Sequence, residues 1–115
     1  MSLHPTISSS RVEGTAVYNL AGEKLGAIGD LVIDKRNGHV RYAALEFGGF
    51  LGLGTDRFPL PWSMLTYDVE KDGYVVNLDL DQLRSGPRYA RDAEPAWTDD
   101  YGRGVHDHYG VGWGT

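Results

Sequence analysis

Asn37-Gly38 constrains this chain more than any other pair of residues. It stands between two apolar runs, 25–34 and 39–47. Both residues tolerate positive φ, so the pair predicts a tight hairpin between antiparallel strands. In the first run, Gly26 and Gly29 predict a bulge or sharp bend. The second run sets Val40, Tyr42, Ala44 and Glu46 against Arg41, Ala43, Leu45 and Phe47. Neither set is clearly polar. That predicts a strand with the core on one side and a second contact, such as another subunit, on the other.

Shorter extended runs at 12–19, 57–62, 66–69 and 74–78 complete a set of six. Pro59 and Pro61 confine the fourth strand to an edge or a barrel rim. A glycine-spaced apolar loop, 48–55, leads into it. Asp79 can cap a short helix, with Gln82 at capping-box spacing, and Gly86-Pro87 stops it. Short strands, tight turns and interior glycines predict an all-β fold. The expected form is a small, strongly bent barrel or sandwich of six strands with a short C-terminal helical turn.

The expected organisation is a flexible lead at 1–11, a folded domain at 12–87 and a tail at 88–115. The end of the tail mixes Gly, aromatic and polar residues without a period, which predicts irregular structure. Trp97, Tyr101, Tyr109 and Trp113 are the residues able to anchor it.

Charge and composition narrow the function. With 16 acidic against 11 basic residues the net charge is −5, which argues against a broad nucleic-acid face. The absence of cysteine rules out disulfides and thiolate metal sites. Residues 1–11 do not read as a signal peptide and no apolar run reaches membrane-span length, so a cytoplasmic protein without a membrane span is expected.

Candidate chemistry is sparse. The 48–55 loop lacks the lysine of a phosphate loop, and no long helix follows it. Its glycines read instead as hinges for Phe50, Leu51 and Leu53, which plug a barrel end or dock a partner. His106-Asp107-His108, with Asp99-Asp100 upstream, is the most metal-like cluster. A glycine-rich tail supplies no rigid shell for a metal, so solvated chain is the better reading there. Asp30, Asp34 and Glu46 form a possible carboxylate group across two strands, read as surface charge in the absence of a cleft. Arg84, Arg88 and Arg91 are expected to pair with the acidic surface, and Trp62 to pack as a core or rim aromatic. No catalytic, cofactor-binding or metal-ligating residue is expected.

A resemblance sharpens this. Leu20-Ala21-Gly22-Glu23-Lys24-Leu25-Gly26 and Ile28-Gly29-Asp30-Leu31-Val32-Ile33-Asp34 resemble the opening hairpin of PRC-barrel domains. The resemblance continues through Arg41-Tyr42-Ala43, Phe47-Gly48-Gly49-Phe50-Leu51-Gly52, Pro61-Trp62 and Asp81-Gln82-Leu83, from about 7 to about 89. It implies a six-stranded barrel used for protein contacts, with no shared catalytic residues. The family includes the cytoplasmic domain of the photosynthetic reaction-centre H subunit and the C-terminal domain of a ribosome maturation factor. The expected function is therefore a non-catalytic interaction module, self-associating and most simply a homodimer. Its expected contact residues are Phe50, Leu51 and Leu53 of the loop, Tyr42 and Ala44 of the third strand, and Trp97, Tyr101, Tyr109 and Trp113 of the tail. The alternatives are assembly on a basic protein of an RNA–protein particle, without direct nucleic-acid contact, and metal binding by the His/Asp tail.

Overall fold

In the computed structural model, residues 6–47 and 56–113 are described. The hairpin is where Asn37-Gly38 predicts it. β2 (Lys24–Ile33) and β3 (Val40–Phe47) pair antiparallel. Gly38, at φ 79°, closes the turn by donating its N–H to the Asp34 carbonyl at 2.8 Å.

Two bulges bend this pair. The register steps from Ile28 to Asp30 past Gly29, and from Val32 to Ile33 past Arg41 on the partner strand. The first is the bend the glycines predict. A Cβ on Gly29 would lie 2.6–2.7 Å from the Glu46 side chain, so the missing side chain makes room for that carboxylate.

The remaining strands are β1 (Ala16–Tyr18), β4 (Asp56–Pro61), β5 (Leu65–Asp68), β6 (Gly73–Val76) and β7 (Tyr89–Ala90). They form one sheet of order β5-β6-β1-β2-β3-β4-β7, antiparallel except for the β1–β6 pair. Phe58 and Leu60 of β4 share one buried cluster with Tyr74 and Val76 of β6, although three strands separate β4 from β6 in the sheet. The sheet therefore curls around its core. A 3-10 turn, Trp62–Met64, follows β4, and the Trp62 ring meets Tyr74 at 5.4 Å, as a rim aromatic.

Among the described residues, three short α-helices complete the fold. α1 (Ser9–Val12) occupies the expected flexible lead. It turns Val12 into the core at 3% exposure, and Gly14, at φ 86°, separates it from β1. That is why the first strand begins at Ala16 rather than at 12. α2 (Leu80–Arg84) starts as predicted, with the Asp79 side chain accepting from the Gln82 N–H at 2.7 Å.

The tail departs from expectation. Residues 88–115 are not uniformly irregular, because they contain β7, which pairs with β4, and the eleven-residue helix α3 (Asp99–Tyr109). Thr98 caps α3 by accepting from the Tyr101 N–H, and Asp99 and Asp100 complement the helix dipole. Gly110, at φ 68°, ends it, with the Val111 N–H bonded to the His106 carbonyl. Interior glycines cost about 1 kcal/mol each relative to alanine. A helix this short is marginal alone, so packing must hold it. Its buried face is Gly102, Val105, His106 and Tyr109.

Candidate functional site: the strapped face of the sheet

The two sides of β3 have different partners. Ala43 and Leu45 pair with Leu60 and Phe58 of β4 and face the core. Tyr42, Ala44 and Glu46 pair with Pro61, Pro59 and Arg57 and face outward. The second contact predicted for this side is supplied by the chain's own tail. Trp97 stacks on Tyr42 at 5.7 Å, and His106 meets the Tyr42 ring edge-on at 6.0 Å. Trp97 also packs against Tyr89 at 5.4 Å and Tyr101 at 5.3 Å. Gly102 permits this approach, since a Cβ there would run into the Trp113 ring and the Tyr42 hydroxyl. α3 is also tied to α2, with His108 Nε2 donating to the Gln82 carbonyl at 2.7 Å.

The expected contact residues thus sort into three groups. Tyr42, Ala44 and Tyr109 are buried within the chain, at 4%, 0% and 7% exposure. Trp97, Tyr101 and Trp113 are half-buried and join the tail to the strapped face or to one another. Phe50, Leu51 and Leu53 lie outside the described residues.

The strap encloses polar atoms. Among the described residues, the buried Tyr101 and Tyr109 hydroxyls and His106 Nε2 have no hydrogen-bond partner. His106 Nδ1 donates to the Gly112 carbonyl at 3.1 Å. Burial pushes the Tyr101 and Tyr109 hydroxyls up to about 12. His106 and His108 contact different groups, and no set of three or more His, Cys, Asp or Glu side chains among the described residues is placed to hold a metal.

Beside the strap lies a charged cluster centred on Arg57. Its guanidinium reaches Glu46 at 3.2 Å, Asp30 at 3.5 Å and the Gly29 carbonyl at 3.3 Å. Arg91 adds a 2.7 Å bond to Glu46. Burial pushes the Glu46 carboxyl up, but the hydrogen bonds from Arg91 and Arg57 outweigh it and hold Glu46 below the usual carboxylate range. A general acid needs the opposite shift. Of the carboxylates singled out in sequence, Asp30 and Glu46 therefore meet through arginine, while Asp34 pairs separately with Arg36 at 3.0 Å. Arg88 pairs with Asp56 at 3.7 Å, and Arg84 lies over the Phe47 ring at 5.8 Å.

Sequence reasoning missed one feature, a cleft of about 560 Å³ between the 34–36 turn and the tail. Tyr42, Trp97 and Trp113 give it rings, and Lys35, Arg36 and Arg41 give it cations. Arg41 reaches it from the bulge, its guanidinium 4.6 Å from the centre of the Trp113 ring. Lys35-Arg36 beside the Asn-Gly turn was the available signal, but nothing in the sequence placed the tail tryptophans opposite it.

A curled all-β sheet built on a bulged hairpin defines a small barrel class. The chain belongs to the PRC-barrel domain family, whose model matches residues 4–83. The strap, β7 and α3, lies beyond the matched residues. Comparison with curated proteins finds no match. No helix among the described residues is long and apolar enough to cross a membrane.

Proposed function

We propose that the chain is a non-catalytic protein-interaction module that associates with a second copy of itself. One observation carries this reading: exposed apolar side chains gather at the β5 end of the sheet. Leu20 is 68% exposed, Val69 46% and Tyr67 38%. Leu20 and Tyr67 line a shallow groove with Met64 and Val75, and β5 is the terminal strand of the sheet order. A terminal strand with apolar flanks is a template for strand pairing, and a second copy offers the same edge in antiparallel register. The loop residues Phe50, Leu51 and Leu53 remain contact candidates on sequence grounds.

Light scattering and sedimentation velocity over a hundredfold range of concentration test this. The wild type is expected to form a dimer and Tyr67→Lys to be monomeric with an unchanged circular dichroism spectrum. Phe50→Asp reports separately on the loop. A wild type that stays monomeric throughout defeats the self-association reading.

A further inference from the structure

We propose that the cleft between the 34–36 turn and the tail binds a small planar monoanion, an aromatic carboxylate. This goes beyond self-association and uses a different set of residues. At about 560 Å³ the cleft falls within the 300–1,000 Å³ range of small-ligand sites. Its walls combine the two features such a ligand needs, flat rings for its π face and fixed cations for its carboxylate.

Two of the three cations are held, Arg36 by an ion pair and Arg41 against a ring. Both oxygens of Asp34 engage Arg36, Oδ1 accepting from its backbone N–H and Nε and Oδ2 from Nη2. That clamp holds the Asp34 carboxyl down at about 2 and uses up its charge. Arg41 is aimed by its bulge and rests on the Trp113 ring. Bulges commonly re-aim a side chain in this way. Neither Lys35 nor Arg41 makes an ion pair among the described residues.

Charge selects the ligand class. Three cations and two carboxylates, Asp34 and Asp99, line the cleft, leaving one positive charge in excess in a chain whose net charge is −5. An aromatic cage for a quaternary ammonium would not carry three cations in its wall. A single carboxylate on a flat ring matches both the excess charge and the rings.

The probe is 2-naphthoate, titrated into the full chain and followed by calorimetry and by NMR shifts of the tryptophan indole N–H groups. Saturable binding is expected, with shifts at Trp97 and Trp113 rather than Trp62. Neutral 2-naphthamide and non-planar cyclohexanecarboxylate are each expected to bind at least about tenfold more weakly, as is 2-naphthoate to Arg41→Gln, since a charge-assisted contact is lost. Lys35→Gln, on the exposed turn, gives a second reading that does not depend on the sheet. Arg84→Gln, outside the cleft lining, is expected to bind normally. Absence of saturable binding up to millimolar naphthoate overturns the proposal. So does equal binding of the amide, or undiminished binding by both Arg41→Gln and Lys35→Gln.

Discussion

The inward and outward sides of β3 belong to the same eight residues yet are stabilised differently. Inward, Ala43 and Leu45 meet Leu60 and Phe58, and all four are buried. Such packing depends on volume and on apolar area removed from water. Outward, Tyr42, Ala44 and Glu46 meet rings, prolines and an arginine, and the helix that closes over them encloses unpartnered hydroxyls. A buried polar atom without a partner costs about 1–3 kcal/mol. The unpartnered hydroxyls lead us to expect the strap to open before the barrel, although Tyr42, Val105 and Tyr109 share the buried cluster of Leu45.

Leu45→Ala should break the stronger side. Its side chain is fully buried, and losses of about 2–5 kcal/mol are typical of such truncations. Urea unfolding should show a single transition at much lower midpoint, with the strap lost along with the barrel.

Gly102→Ala tests the weaker side and sets two effects against each other. Helix propensity alone predicts a gain of about 1 kcal/mol for α3. The Cβ, however, would enter space held by Trp113 and Tyr42. Undocking is expected to win: faster proteolysis in the 91–98 connection and red-shifted tryptophan emission, while the main unfolding transition moves little. Unchanged proteolysis would show that the strap tolerates the added methyl.

Acid should weaken the Arg57 cluster beside the strap. Against the upward push of burial, the folded Glu46 carboxyl is depressed below its ordinary value by the hydrogen bonds from Arg91 and Arg57, so its stabilisation is present above the ordinary value and is lost as the pH falls through the lower folded value. Urea midpoints measured from pH 6 downward should fall less steeply below about pH 4.5 in Glu46→Gln than in the wild type. Equal slopes would remove Glu46 from the account.

The smallest effect is expected at Tyr109→Phe. The hydroxyl has no partner among the described residues, so its removal should leave stability unchanged or raise it by up to about 1 kcal/mol. A clear loss would mean that a bridging water satisfies it.

What was legible in the sequence follows the same division. Gly38, Gly29 and Asp79 act through their own backbone neighbourhood, and each does in the structure what its residue type predicts, whereas Asn37 does not take the positive φ it tolerates. The outward contact of β3 was legible as a need but not as an occupant, because its partner lies more than 50 positions away, at Trp97 and His106. α3 carried its start and stop signals in Thr98 and Gly110. Gly102 and Gly104 hid them, since glycine inside a helix reads as a break; at Gly102 the rings of Trp113 and Tyr42 need the space, while Gly104 faces open space. The cleft is the extreme case: its rings and its cations come from segments that only the docked tail brings together.

The parallel β1–β6 pair has a kinetic consequence. β2, β3 and β4 are neighbours in both sequence and sheet, so each pairs across a nearby connection. β1 must wait for residues 74–75, roughly half the chain further on, before Val17 and Tyr18 gain their second set of partners. Closing so long a loop delays the contact, because its entropy is lost before the pairing compensates. During synthesis the hairpin meander can assemble while the first strand still has one side unpaired. Chain emergence through β6 is thus what completes the pairing of β1.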